Sequence, residues 1–184
     1  MKPTMPHPYR TGLKKGLPIA LGYLSVSFGF GISAVNGGLK AIWAVLISLT
    51  NLTSAGQLAG LAILIAQGPV LEMILTELVV NLRYSLMAIA LTQKIERFST
   101  GHRLLAAFGI TDEIFAVAAA EKGPVTPPYF YGLMTLPYLG WGLGTLLGAL
   151  AGDILPASVT SALGLAIYAM FVAIVVPAAR EDGG

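Results

Sequence analysis

Apolar residues in this chain come in long blocks separated by short polar connections. Six blocks read as membrane segments: Leu17–Asn36, Leu39–Ala66, Pro69–Thr92, Leu104–Ala120, Pro128–Leu150 and Ala157–Ala178. A helix needs about 20 mostly apolar residues to cross a ~30 Å hydrocarbon core, and these blocks meet or approach that length. The connections are Gly37-Gly38, Gln67-Gly68-Pro69, Gln93–Arg103, Glu121–Pro127 and Gly152–Pro156, none long enough to fold alone. The pattern predicts an all-α, polytopic helical bundle, a single transmembrane domain over residues 1–184. Within it a cytoplasmic tail covers 1–16, membrane helices cover 17–178 and a polar tail covers 179–184. The charged leader and the length of the first block argue against a cleaved signal peptide.

Two blocks are interrupted. Asn51-Leu52-Thr53-Ser54-Ala55-Gly56-Gln57 breaks the second, and Ser54 with Gln57 has the S-x-x-Q spacing of a capping box. That spacing predicts two half-helices, Lys40–Leu52 and Ala55–Ala66, with unwound backbone between them; a continuous helix with its polar residues facing a neighbour is the alternative. Gly109-Ile110-Thr111-Asp112-Glu113 breaks the fourth block, with threonine at a cap position and two acids in the following turn. Loop charge points the same way. Lys2, Arg10, Lys14 and Lys15 precede the first block, and Lys94, Arg97 and Arg103 follow the third. Both clusters should be cytoplasmic, yet three simple crossings would put them on opposite faces. A second block that enters and returns, or breaks, places both inside.

Composition narrows the function. The chain is 55% hydrophobic and 11% charged, with 22 glycines and 11 prolines; a soluble domain carries about 25% charged residues. A net charge of +2 leaves no continuous basic face for nucleic acid. With no cysteine and two histidines, His7 and His102, disulfides, thiolate zinc sites and His-based metal clusters are excluded. No catalytic residue, metal ligand or cofactor site is assigned, and the chain reads as a non-enzymatic integral membrane protein.

Small residues recur four apart on two blocks: Gly140, Gly144, Gly148 and Gly152 on the fifth, and Ser25, Gly29, Ser33 and Gly37 on the first. Such stripes allow helices to approach at backbone distance. A shift of 119 positions superposes Leu17-Pro18 on Leu136-Pro137 and three of the small pairs. This suggests an internal duplication whose copies, with the topology above, run in opposite directions.

Ionisable residues at a helix centre cost about 2.5–3.5 kcal/mol each on an insertion scale. Glu77, Arg83, Asp112 and Glu113 are the candidates, with Glu72 nearer the interface. Met73, Glu77, Asn81 and Tyr84 share one helical face, while Arg83 points elsewhere, toward an acid on another helix or toward the interface. Functional sites and buried structural salt bridges both produce such residues. A half-helix N-terminus suits a carboxylate, and an acid or an unwound carbonyl suits an ammonium. Apolar helices around them would take an apolar side chain. The arrangement favours a small amino acid or a similar solute.

The strings Asn51–Gly60 (NLTSAGQLAG), Asn81–Ser85 (NLRYS), Phe108–Ala118 (FGITDEIFAVA) and Leu136–Gly152 (LPYLGWGLGTLLGALAG) together resemble the AzlC family. The resemblance implies a multi-helix inner-membrane permease that exports branched-chain amino acids with a small AzlD-like membrane subunit as partner. No Walker A motif occurs, so ATP is not hydrolysed by that route. By position, Ser54, Gly56 and Gln57, beside Thr53, match the family's small-small-Gln break. Asn81 and Arg83 match its Asn-Leu-Arg motif, and Asp112 and Glu113 match its acidic pair. With Glu77, these residues are the candidates for substrate binding or coupling. Family members usually continue beyond the point where this chain ends, which opens the reading of a non-transporting structural or assembly subunit. A membrane enzyme using Asp112 and Glu113 is a third reading, but adjacent acids on a helix point about 100° apart.

Overall fold

The computed structural model describes residues 7–152, and within them it is helical throughout: α1 (Pro8–Asn36), α2 (Ala41–Thr50), α3 (Ser54–Ile65), α4 (Val70–Leu91), α5 (Thr100–Phe108), α6 (Asp112–Ala119) and α7 (Pro127–Ala151). Among the described residues there is no strand, only an isolated bridge between Ile95 and Val125. Three helices, α1, α4 and α7, are long and apolar enough to cross a membrane. The expected segment Ala157–Ala178 and the tails at 1–6 and 179–184 lie outside the described residues.

The helix ends follow local chemistry. Proline occupies the first turn of α1 and of α7, where a missing N–H costs nothing. The first helix therefore starts at Pro8 and not at Leu17; most of the expected tail is helix. It stops at Gly37-Gly38, where Gly38 takes φ +92°, a conformation that glycine alone adopts without steric cost.

The second block is broken, and its two halves form a hairpin. Leaving the end of α1, α2 runs inward until Leu49 meets Gly142 and Tyr138 halfway along α7. Helix α3 then runs back, so that Ile65 packs on Gly37 at the end where α2 began. Phe30, Ala34, Ala44 and Leu61 form the apolar core of this first hairpin. Helix α4 crosses in the reverse direction along α3, with Met73 beside Gly60 and with Glu77 and Asn81 beside Gly56.

A second hairpin enters from the opposite end. Helix α5 runs inward along α7, from His102 bonded to Tyr131 to Gly109 packed on Met134. Helix α6 returns to Glu121, which pairs with Lys15 near the start of α1. The Lys94 ammonium, just after α4, donates to the carbonyls of Ala119 and Glu121. So the ends of α4 and α6 and the start of α1 lie together. Leu91, Ile114, Ala118, Val125, Tyr129, Phe130 and Leu133 fill the core there. The two basic clusters share one end of the bundle, as the loop charges required. Of the five blocks that fall within residues 7–152, three are long crossing helices, and the second and fourth, the two with polar interruptions, are hairpins.

Helices α1 and α7 pack along their whole length. A methyl group on Gly132 would overlap the Tyr9 carbonyl oxygen, and one on Gly148 would overlap that of Phe28; Gly140 and Gly144 sit in the same way on Ala20 and Leu24. Gly152 continues the stripe beside Ile32. Residue numbers rise together on both sides of this seam, so α1 and α7 are parallel. The expectation that these two helices form an inverted pair is overturned. That orientation follows when the second block returns and the fourth crosses once; the fourth also returns, so α7 starts from the same end as α1. On α1 the seam is built from Gly12, Gly16 and Gly31. Ser25 is exposed, Ser33 is half-buried and bonds back to the Gly29 carbonyl, and Gly29 itself is buried.

Candidate functional site

The two hairpin tips meet inside the bundle. Both are built alike: an extended threonine stops the incoming half-helix and caps the outgoing one. Thr53 Oγ1 accepts from the Gly56 amide at 3.2 Å, and Thr111 Oγ1 accepts from the Ile114 amide at 3.4 Å. Each cap satisfies one of the amides that a helix start leaves free. The first cap was expected at Ser54, in a box with Gln57. It lies one residue earlier, because Thr53 holds the extended backbone (φ −135°) that a cap requires and Ser54 is already helical.

Freed from capping, Gln57 is buried behind the site. Its Nε2 donates to Ser48 Oγ at 2.9 Å, and its Oε1 accepts from Trp141 Nε1 at 2.9 Å. Ser48 lies 2.6 Å from Thr145 Oγ1, whose hydroxyl also reaches the Trp141 carbonyl at 3.1 Å. This closed network ties both limbs of the first hairpin to α7. Gln57 therefore holds the scaffold and does not line the cavity.

The Glu77 face of α4 turns to α3, with Glu77 and Asn81 beside Gly56, as their shared helical face predicted. Asn81 Nδ2 donates to Glu77 Oε2 at 2.7 Å, and Asn81 Oδ1 accepts from the Thr53 hydroxyl at 2.9 Å. A side chain at Gly56 would press on both: a Cβ there would lie 2.7 Å from the Glu77 carboxylate and 3.1 Å from Asn81 Nδ2. Arg83 points away from this face and across to the second tip, where its Nη2 pairs with Asp112 Oδ2 at 3.1 Å. The same nitrogen donates to the Tyr84 hydroxyl at 3.1 Å. Two runs of contacts, Asp112–Arg83–Tyr84 and Thr53–Asn81–Glu77, thus anchor the two tips on α4.

Glu113 is placed differently from its neighbour. Its Oε2 lies 2.5 Å from the Tyr23 hydroxyl, which is 2.6 Å from Thr111 Oγ1. The phenol has one proton, so with Glu113 ionised it donates to the carboxylate and accepts from Thr111. Among the described residues Glu113 has no cationic partner, whereas Asp112 has Arg83. The two acids, adjacent in sequence, are chemically distinct.

Tyr23, Leu52, Ser54, Tyr84, Thr111, Asp112, Glu113 and Trp141 line a cavity of about 10 Å³ between the tips, room for one water molecule. Tyr23 and Trp141 meet edge to face at 5.1 Å and form its apolar wall with Leu52. Of the residues singled out from the sequence, Ser54, Asp112 and Glu113 line the cavity. Thr53, Gly56, Gln57, Glu77, Asn81 and Arg83 lie behind it as supports. Tyr23 and Trp141 were not expected. Each sits in a glycine-rich packing helix, and their only sequence signal was a polar-tipped aromatic inside an apolar run. Among the described residues no three His, Asp or Glu side chains come together to hold a metal ion.

A family model described as AzlC protein matches residues 18–155 of the chain. An uncharacterized membrane protein of Archaeoglobus fulgidus is 36% identical over 172 residues, covering 92% of this chain and 75% of that protein. The inner membrane protein YgaZ of Escherichia coli is 31% identical over 172 residues, covering 89% of this chain and 70% of its own length. An uncharacterized membrane protein of Helicobacter pylori is 28% identical over 155 residues, covering 80% and 67%. No solved structure matches the chain.

Proposed function

The chain belongs to the AzlC family, and from that premise we propose that it is the large subunit of a two-component permease that exports branched-chain or similar small amino acids. The observation that carries this reading is Glu113, an acid without a cationic partner among the described residues, between two half-helix N-termini that come from opposite ends of the bundle. The substrate ammonium pairs with Glu113 in place of Tyr23. The substrate carboxylate takes the first amides of α3, at Ser54 and Ala55, which have no intrahelical acceptor. No acid lies in the first turn of α3, whereas Asp112 and Glu113 offset the positive end of α6. Leu52, Tyr23 and Trp141 receive the aliphatic side chain.

Glu113 also offers a coupling mechanism. A carboxylate that holds either the ammonium or a proton, but not both, exchanges one for the other. Such an exchange drives the amino acid out as protons enter. Direction follows from loop charge: Arg10, Lys14, Lys15, Lys94, Arg97 and Arg103 share one end of the bundle, which the positive-inside rule makes cytoplasmic. The N-terminus is then inside, in an inner or plasma membrane. The outer face of α4, with Leu71, Leu75, Leu78, Val79, Leu82 and Leu86 all exposed, suits lipid or the small AzlD-like subunit.

The test is flux of labelled leucine in vesicles carrying a pH gradient, with and without the small subunit. Gradient-driven flux that is lost in Glu113→Gln, with the protein still inserted, supports the reading. Full flux in Glu113→Gln and in the Asp112→Asn/Glu113→Gln double variant overturns the site. Absence of flux in the wild type with its partner present leaves a structural or assembly subunit.

A further inference from the structure

A second cavity lies at the basic end of the bundle, away from the hairpin tips. It is a groove of about 320 Å³ between the end of α4 and helix α5. Its floor is Leu91, Phe98, Ala106 and Ile110, all buried, and its rim carries Ile89 and Leu104, 64% and 71% exposed. An apolar space of this kind stays free of ordered water, and in a membrane bundle such a rim faces hydrocarbon. Polarity changes along the groove. Thr100, Arg103, Leu104 and Ala107 line it from one face of α5. The hydroxyl and the guanidinium stand in the first turn, at the basic end, and the apolar pair follows further in. Arg103 Nε donates to the Phe98 carbonyl at 3.4 Å, which leaves the two terminal nitrogens of the guanidinium for another acceptor. Among the described residues neither Arg103 nor Arg97 has an ion pair. Glu96, the one acid between Gln93 and Ser99, pairs with neither.

We propose that this groove is a binding site for an anionic phospholipid from the leaflet at the basic end. One acyl chain lies on Leu91, Phe98, Ala106 and Ile110, and Arg103 pairs with the headgroup phosphate, with Thr100 beside it. Charge selects this occupant. Basic pockets between membrane helices on the cytoplasmic side take acidic headgroups, and a guanidinium matches the oxygens of a phosphate. With Lys94 and Arg97 in the same loop, the field at the end of the groove favours a net negative headgroup over a zwitterionic one. A wholly apolar helix on the same floor would leave the guanidinium unpaired. The bound chain reaches Ile110, next to the threonine that caps α6, and so joins the inward limb of the second hairpin to α4. The site is separate from the central cavity and stands whether or not the chain carries amino acids.

Native mass spectrometry of the full chain in detergent, titrated with phosphatidylglycerol or with phosphatidylcholine, tests this. Phosphatidylglycerol should bind the more tightly. Arg103→Gln should weaken it about fivefold, the worth of one arginine near an anionic surface, and bring it toward the phosphatidylcholine value. Lys40→Gln removes the same charge at the start of α2, the other end of the bundle, and should change nothing. Ala107→Trp fills the groove from an exposed position on α5 without touching a charge, and should displace the phospholipid. Ala88→Phe fills it from α4, so either variant serves if the other is not monodisperse. Equal binding of the two lipids by the wild type overturns the proposal. So does phosphatidylglycerol retained at full affinity in a filled groove, since headgroup attraction alone would then account for it. Binding of neither lipid also overturns it and assigns the groove to polypeptide.

Discussion

The seam between α1 and α7 and the junction of the hairpin tips lie side by side and are built in opposite ways. The seam is mostly glycine against backbone, and among the described residues no ion pair crosses it. At Gly12, Gly132, Gly140 and Gly148 the facing atoms are backbone, which cannot rotate out of the way. The junction is held by hydroxyls, one carboxamide and one arginine, around space for a single water. A seam of this kind makes a rigid frame, since packed backbones have one arrangement. A junction of a few hydrogen bonds, each with a net worth of about 1 kcal/mol, can be exchanged for bonds to a ligand. The contrast makes α1 and α7 the frame and leaves the tip junction as the place where bonds can be exchanged.

The sharpest way to break this contrast is to fill the seam. Gly148→Leu or Gly144→Leu puts a side chain where the Phe28 carbonyl or the Leu24 backbone and Ser27 hydroxyl already lie. We expect at least about 3 kcal/mol of destabilisation, read as loss of monodisperse protein after extraction. Gly22→Leu, where a Cβ meets nothing within 4 Å, is the matched control and should behave as wild type. Equal behaviour of the three variants would mean that the seam is not the frame.

The polar network behind the first hairpin should come next. Gln57→Leu leaves the Trp141 N–H and the Ser48 hydroxyl without their partner in a buried setting, at a cost of about 2 kcal/mol. Thermal unfolding in detergent measures it. If Gln57 instead bound substrate, the variant would lose flux and keep its stability.

The smallest effect belongs to the clasp at the basic end. Glu121, in the loop after α6, bonds Lys15, and that bond, with a lesser contribution from Tyr129, holds its carboxyl below the ordinary value of 4.5. A lowered folded value adds stability above the ordinary range, which is lost as the pH falls through the folded value. Lys15 is 43% exposed, so the clasp contributes less than about 1 kcal/mol. Glu121→Gln should therefore lower the melting temperature slightly at pH 7, with the gap closing as the pH falls through the lowered folded value and the wild-type carboxyl is protonated. A gap that persists at low pH would assign the effect to packing.

The same contrast explains what could be read in advance. Both hairpins were legible because polar, helix-starting residues interrupt apolar runs at Asn51–Gln57 and Gly109–Glu113, and because Lys14 and Lys94 demanded one face. Glycine spacing likewise marked the α7 side of the seam. The α1 side was misread: Gly12 and Gly16 lie among Arg10, Lys14 and Lys15, which look like a tail. The true cap at Thr53 was missed because Ser54 with Gln57 mimics a capping box. The partners at the tips were not legible at all. Tyr23 and Glu113, or Arg83 and Asp112, find one another only after the hairpins fold, and no local pattern records which hairpin a crossing helix will hold.

A site where hairpins from opposite faces meet requires a particular topology, and side-specific labelling reads it. Single cysteines at Lys14, Gln67 and Thr100 are labelled with an impermeant reagent from each side of the membrane. Positions 14 and 100 should react from one side, the cytoplasmic one, and position 67 from the other. Labelling of Lys14 and Thr100 from opposite sides would contradict it, since the second block would then be a simple crossing and no hairpin would reach the site from the far face.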